Sequence, residues 1–473
     1  MLLVTAVTVA QASTYYVSDV GVRSFARAGA FVAGVNDLTA FWYNPAALTR
    51  LKGGHAMVDL AGVGQSVYFD REDVEGGGLD GADVVNEPIE NAAPMYLIPH
   101  LGVSYDFGME DTVVGLGFFP PYAPDYQYPE DGAQRYTLTD GVVIHTYTGP
   151  GVAHEFFDWI SVGATVSWNL LYIEQDVTVG LVPEGSDVED PQYDVDFHLD
   201  AMQTFKLAWN AGVLVEPPSG LWAIGAMVHP PIHFKGLEGQ MTADFSGNYY
   251  FEDETFGVIA DETALDDYVR TSATMPLIIK AGALVRPQDN LEIEASFVWQ
   301  GWSSIQEVTV TDVDMLVPIV SAEEKPVIDL LQLEDIEVTD DIVLETHYQD
   351  AWSVRLGGSF GATDRLTLHA GGLYEKSGIP PKYLSVSLVD GDKVGYGAGA
   401  SVHLPRGFTL DAAMSQSFLG EIEITNSDVT SINVDPLEGN VYDGPVVGNG
   451  LMRSTITLIG GGVTWHFAGR DEG

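Results

Sequence analysis

The chain has 473 residues, no cysteine and a formal net charge of −48. The missing thiols exclude disulfide scaffolds, thiol chemistry and cysteine-based zinc sites, and the charge excludes nucleic acid as a partner, because phosphate backbones need a basic surface. Yet 46% of the residues are apolar and 11% aromatic, which is too much for a disordered acidic chain.

Residues 1–12, "MLLVTAVTVAQA", form a short apolar run that ends on Ala10-Gln11-Ala12. That fits the small-x-small site of signal peptidase. The usual basic n-region is missing, so the true start lies upstream of Met1 or the signal is a weak one. The mature chain is then expected to start near Ser13 and to be exported. No later run reaches the roughly 18 apolar residues of a membrane helix, so an exported membrane protein here would have to cross with strands.

Residues 13–52 are too short for a domain and too apolar for a tail. Small residues (Ala26, Ala28, Gly29, Ala30, Ala33, Gly34) precede "AFWYNPAALTRL". Asn44-Pro45 interrupts that stretch, since the residue before a proline is pushed out of the helical region.

From residue 55 to 467, apolar residues alternate with others at period two, the mark of strands. Phe205, Leu207, Trp209, Ala211, Val213 and Val215 share one face, and Lys206, Ala208, Asn210 and Gly212 the other. Six tight turns (107–111, 156–159, 216–220, 286–290, 361–365 and 404–407) alternate with seven long polar stretches (near 71–94, 120–139, 177–199, 236–269, 309–340, 377–390 and 421–449). These join fourteen strands. An even strand count, with short turns at one end and long loops at the other, describes an outer-membrane barrel. The seven long stretches hold 41 of the 68 acids but only 4 of the 20 Lys and Arg, which makes the acidity one extracellular face. Tyr105, Phe107, Phe156, Trp159, Trp222, Phe408 and Phe467 sit beside the short turns, where a periplasmic aromatic girdle belongs. A lumen this wide must be filled or conduct. The expected organisation is therefore all-β: a fourteen-stranded antiparallel barrel over 53–467, a hatch over 13–52 inside it, and a C-terminal extension over 468–473. It belongs in the outer membrane of a Gram-negative bacterium, as a monomer.

"GVRSFARAGAFVAGVNDLTAFWYNPAALTRL", with its Asn44-Pro45-Ala46 triplet, resembles the hatch of the FadL/TodX family of outer-membrane transporters for long-chain fatty acids and other hydrophobic compounds. The blocks 274–308 ("TMPLIIKAGALVRPQDNLEIEASFVWQGWSSIQEV") and 349–401 (from "QDAWSVRLGGSF" to "DGDKVGYGAGAS") resemble the same family. The extreme loop acidity and the residues after Phe467 depart from it. The resemblance implies a passive transporter without cofactor. A hydrophobic molecule enters between the long loops, moves into a pocket closed below by the hatch, and leaves sideways into membrane lipid at a kink in the third strand. The runner-up is an open porin-like channel for polar solutes.

Several residues stand out as candidates. Lys206, Lys280 and Arg355 point into the lumen by phase, where a cation is a good partner for a carboxylate. They could equally pair with hatch or wall acids. Phe245, Tyr249, Tyr250, Phe251 and Phe256 in the fourth long loop suggest a capture surface or the core of a loop subdomain. In the third strand, "TVVGLGFFPPYAPDYQ", Gly115 and Gly117 weaken packing and Pro120 and Pro121 remove two ladder donors. A wall gap is expected there, held against the Asn44-Pro45 break, unless the prolines merely begin the next loop. The clustered loop carboxylates invite divalent cations. Gly357-Gly358-Ser359-Phe360-Gly361 matches a nucleophile motif, but that motif needs a following helix, and no Ser/His/acid set is expected to meet. His229 and His233 in "HPPIHF" lie roughly 13 Å apart on a strand, too far for a metal pair.

Overall fold

The computed structural model describes residues 19–467, apart from 78–80, 184–187, 249–263, 306, 312–314, 318–335, 339–341 and 436–440. The proposed signal segment 1–12 and the extension 468–473 lie outside the described residues.

Period-two alternation produces fourteen transmembrane strands. They are β1 (Gly54–Arg71), β2 (Tyr96–Tyr105), β3 (Thr112–Tyr122), β4 (Asp140–Phe156), β5 (Ile160–Leu181), β6 (Asp194–Val215) and β7 (Trp222–His229 with Ile232–Asp244). There follow β8 (Ala264–Met275 with Ile278–Gln288), β9 (Leu291–Gln300 with Glu307–Thr311), β10 (Ile342–Glu345 with Ala351–Thr363), β11 (Leu366–Lys376), β12 (Lys393–Leu404), β13 (Phe408–Ile424) and β14 (Gly450–Phe467). Each pairs antiparallel with its neighbours in sequence. β1 and β14 close the ring in continuous register from Gly54↔Phe467 to Arg71↔Gly450. Closure leaves no sheet edge facing lipid, which the hydrocarbon core requires.

The turns expected at the periplasmic end are there. Phe107-Gly108, Phe157-Asp158 and Arg406-Gly407 each place two successive residues at positive φ, the backbone of a tight hairpin turn that follows the strand twist. Above them, outward side chains such as Leu60, Leu97, Phe205, Leu207, Leu356, Val394 and Ile459 are exposed to the bilayer. Rings gather at the periplasmic rim: Tyr105 stacks at 6.3 Å on Phe467, and Phe408 at 5.7 Å on Trp465.

At the opposite end the strands run on into the loops, which interlock. The buried Arg71 guanidinium donates to both Glu189 carboxylate oxygens at 2.7 and 2.6 Å, and to the Ala133 and Val446 carbonyls. One ion pair thus joins four loop regions. A hairpin in the last loop, Thr430–Val434 with Val441–Val446, lies parallel to the top of β5 through Asn433↔Gly180 and Val434↔Leu181.

Residues 19–51 fill the lumen below. They form helix α1 (Val22–Ala26), helix α2 (Ala40–Tyr43) and a 3₁₀ turn, Pro45–Arg50. Helices this short are marginal alone, and here the wall supplies the packing. Val22, Phe25, Phe31, Leu38, Trp42, Ala46 and Leu48 are all buried.

Candidate functional site

The Asn44-Pro45 break seats the hatch. Asn44 is extended and caps the 3₁₀ turn, its Oδ1 accepting from Ala46 N at 3.2 Å. Its Nδ2 donates to Val32 O in the hatch at 3.3 Å and to Val213 O in β6 at 3.0 Å. A proline at the first position of the turn loses no hydrogen bond. The chain lies so close to the wall that a side chain at Gly163 would meet Pro45, and one at Gly212 or Gly225 would meet Asn44. The break therefore bears on β5, β6 and β7. The expectation that it faces the third strand is corrected: Phe41 does so instead. A Cβ at Gly115, Gly117 or Gly151 would run into the Phe41 ring, whose centroid is 6.2 Å from that of Phe119.

The hatch is also held by charge. Arg23 pairs with Asp411 at 3.0 Å, and Arg50 with Glu216 at 2.7 Å. Arg27 pairs with Glu292 and, at 3.2 Å, with Glu294. Glu294 also accepts from Val32 N at 2.6 Å and from Ala33 N and Gly34 N at 2.8 Å. Burial pushes the Asp37 carboxyl above its ordinary value, against the pull of Arg23 and the Thr39 hydrogen bonds. Between hatch and wall, Arg23, Asn36, Arg286, Glu292 and His369 border a polar cavity of about 220 Å³.

The three lumen cations differ. Arg355 is fully engaged, at 2.5 Å from Asp19 and 3.4 Å from Glu375. Lys280 Nζ donates to Trp42 O at 3.3 Å and lies 4.2 Å from the Trp42 ring centroid. Lys206 is half-buried, opposite the buried, lumen-facing Asn169. No ion pair or side-chain hydrogen bond joins it to any described residue. The sequence could not separate these three, because their partners lie on the hatch and on neighbouring strands.

Between the strands above the hatch lies an aromatic cluster. Tyr122 stacks on His145 at 5.4 Å, His145 meets Phe234 at 5.3 Å and Tyr147 at 4.6 Å, and Tyr147 meets Trp42 at 5.1 Å. His145 is fully buried, with Asn169 as its polar neighbour. Phe245 is buried in the adjoining core and is not an exposed capture surface. Tyr249, Tyr250, Phe251 and Phe256 lie outside the described residues.

The wall ladder is interrupted twice beside this cluster. β3 pairs with β2 only from Tyr105↔Val114 to Leu101↔Phe118, so Tyr96–His100 face no rung on that side. Gly115 and Gly117 sit within the paired part and are not the weak point. Pro120 and Pro121 stand just above it, buried in a strand that continues to Tyr122, rather than starting a loop. β3 keeps its hold on β4, with an irregularity between Phe119 and Tyr122. Below this seam, the outer face of the wall has an apolar concavity of about 620 Å³ that includes Val103, Leu116, Val152 and Val166. The second interruption separates β6 from β7. Ala211–Val215 pair with Ile224–Val228 and Asp196–Met202 with Glu238–Asp244, while Gln203–Asn210 have no partner on β7.

Two further motifs resolve. His229 points inward, 3.3 Å from Trp42 O, and His233 points outward, so they form no metal pair. Among the described residues no three His, Asp or Glu side chains converge as cation ligands. Contrary to expectation, a Ser/His/acid row does meet: Ser359 and Ser401 flank His369 at 2.8 Å each, and Ser401 donates to Asp411. The acid reaches the imidazole only through Ser401, and Ser359 accepts from Arg27 at 3.2 Å. The row therefore ties hatch cations to the wall and lacks the acid that orients a catalytic histidine.

A fourteen-stranded outer-membrane barrel with a bolted hatch, a capped mouth and an interrupted wall is built for transport, not for catalysis or open diffusion of polar solutes. A family model described as "Outer membrane protein transport protein (OMPP1/FadL/TodX)" matches residues 3–452. The chain belongs to this family of outer-membrane transporters for hydrophobic compounds. An outer membrane protein of Neisseria meningitidis serogroup B is 20% identical over 96% of this chain and 95% of its own. The crystal structure of a Pseudomonas aeruginosa FadL homologue has a TM-score of 0.73 at 16% identity, covering 96% of this chain and 99% of that one. The Pseudomonas putida toluene transporter TodX has a TM-score of 0.62 at 15% identity, over 94% of this chain and 97% of that one. At these identities the structural likeness speaks for the fold.

Proposed function

We propose that cargo entering this barrel leaves it sideways, into outer-membrane lipid, between β2 and β3. One observation carries this reading: β3 detaches from β2 at Pro120-Pro121, beside an aromatic lumen whose floor is the bolted hatch. A greasy molecule gains about 25 cal/mol per Å² of apolar surface on leaving water. A wall exit spares it the aqueous route through the hatch. The cargo class is a long-chain fatty acid or a small aromatic hydrocarbon such as the toluene carried by TodX. For an acid, Lys206 is the natural carboxylate partner among Lys206, Lys280 and Arg355, because the other two are engaged by the hatch and wall.

Divalent bridging of the acidic loops rests on their charge alone; limited proteolysis with calcium and with chelator tests it. A monomer is expected, which light scattering in detergent checks. Uptake itself is tested in a bacterial host lacking such a transporter, with labelled long-chain fatty acid and labelled toluene. Entry of at least one, above a vector control, supports the reading; entry of neither rejects it.

A further inference from the structure

The interruption between β6 and β7 is not explained by an exit between β2 and β3, which lies four strands away along the wall. Eight successive residues of β6, Gln203–Asn210, lose their partners on one side while keeping β5 on the other. The facing segment of β7 contains Pro230 and Pro231, which lack ladder donors. In lipid an unpaired backbone run is tolerated only where it borders a cavity or buried protein. Its outward neighbours Phe205, Leu207 and Trp209 are large hydrophobic side chains, each more than half exposed. At roughly 3.3 Å per residue and a tilt near 40°, Lys206 stands about 23 Å above Val215, close to the top of an apolar band about 25 Å tall. The seam therefore meets the outer leaflet near its polar rim.

The seam carries unused polar capacity. The Lys206 ammonium has no partner among the described residues, whereas Arg71, Lys280, Arg286, Arg355 and Lys393, the other described cations on inward strand positions, are all engaged. Across β6, β5 and β4, Lys206, Asn169 and Tyr147 form one inward row. The buried His145 imidazole and Asn169 amide face each other at this row. A cation without an ion-pair partner beside an apolar slot matches an amphiphile with an anionic head.

We infer that the β6–β7 seam is a second membrane port, through which an acidic amphiphile dissolved in the outer leaflet enters the lumen with its carboxylate on Lys206. This rests on the uptake reading above and adds a route to it. The tail enters between Phe205–Trp209 and Ile232–Phe234. Inside, Phe234 and His145 lead across to Tyr122 and the β2–β3 seam. A neutral hydrocarbon gains nothing from Lys206 and does not depend on it.

Photolabelling of the full-length protein in lipid nanodiscs tests the port. One sample contains a diazirine-bearing palmitic acid and the other a neutral diazirine hydrocarbon, and adducts are mapped by mass spectrometry. The acid should mark 203–210 and 232–237. Lys206→Ala should cut that labelling by at least about tenfold, the loss expected for one charge-assisted hydrogen bond. Lys206→Arg should restore it, and neither variant should change labelling by the hydrocarbon. Acid adducts spread evenly around the apolar belt, or unmoved by Lys206→Ala, overturn the port. A protein that takes up both cargoes but is unlabelled at this seam overturns the port alone. One that takes up neither overturns the uptake reading beneath it.

Discussion

Lys280 on β8 and Trp42 on helix α2 are joined twice: the ammonium donates to the Trp42 carbonyl at 3.3 Å and lies 4.2 Å from its ring centroid. Tyr43 offers a second face at 4.8 Å, and His229 a second contact to the same carbonyl at 3.3 Å. Helix α2 is one turn long and closes on the Asn44 N–H to Ala40 O, and the wall takes up the Trp42 carbonyl that this leaves over. A desolvated cation–π contact is worth about 2 kcal/mol and a charged hydrogen bond about 1.5–3 kcal/mol. Lys280→Ala should therefore loosen the hatch without unfolding the barrel. Planar-bilayer recordings should show raised steady conductance, while heat-modifiable mobility in gels stays that of a folded barrel. Conductance equal to the unaltered protein would mean that the hatch is held by its ion pairs alone.

Lys206 and Arg355 separate a binding cation from a structural one. If the cargo is a fatty acid, Lys206→Ala should weaken it roughly tenfold, from the loss of one charge-assisted hydrogen bond, and leave toluene binding unchanged. Arg355→Ala strands Asp19 without its cation, whereas Glu375 keeps Lys393 at 2.9 Å. Breaking a buried pair from one side costs about 3–5 kcal/mol, so this variant should lose hatch docking and alter both cargoes alike. Binding titrations with both ligands on both variants decide the matter. Acid-selective loss in Arg355→Ala, with none in Lys206→Ala, would reverse the assignment.

The glycines under the hatch give a steric test. A side chain at Gly163 meets the Pro45 backbone, and Gly461 on the outward face of β14 has only the Asp411 carbonyl near, at 3.9 Å. Gly163→Val should displace the 3₁₀ turn and raise conductance. Gly461→Val should behave like the unaltered barrel. Equal conductance in the two would show that the turn can yield without opening the lumen.

Much of this architecture is legible in the residues. Alternation such as Phe205-Lys206-Leu207 fixes which face meets lipid, because the strand period is two and a slip would turn every side chain over. Turn chemistry at Phe107-Gly108 and Arg406-Gly407 fixes where the strands reverse. Small residues and the Asn44-Pro45 break mark the hatch. What alternation cannot supply is the partner of an inward charge. Lys280 and Lys206 look alike in sequence, yet one ends on Trp42 and the other faces Asn169, and only the closed register tells them apart. The row of Ser359, His369, Ser401 and Asp411 is hidden for the same reason: its members sit on β10, β11, β12 and β13. The β6–β7 interruption is written in "HPPIHF" by the two prolines between the histidines, not by the histidines.

The exit between β2 and β3 can be closed chemically, since the native chain has no cysteine to interfere. The last rung is Leu101↔Phe118. Continuing the register by two residues would bring Pro99 opposite Pro120. A short bis-maleimide between Pro99→Cys and Pro120→Cys would span the seam. Crosslinking at Leu116 would not, because Leu116 already pairs with Val103. Replacing Pro120 also restores one ladder donor, so the double variant without crosslinker is the necessary reference. Relative to that reference, the crosslinked protein should lose most of its uptake of labelled toluene, while folded-barrel mobility in gels is unchanged. A matching crosslink between Val402→Cys and Leu410→Cys, which lie opposite each other in a continuous part of the β12–β13 ladder, should leave uptake as it was. If toluene still enters at the reference rate with the β2–β3 crosslink complete, the cargo leaves elsewhere, and the prolines of β3 serve only to bend the strand over Phe41.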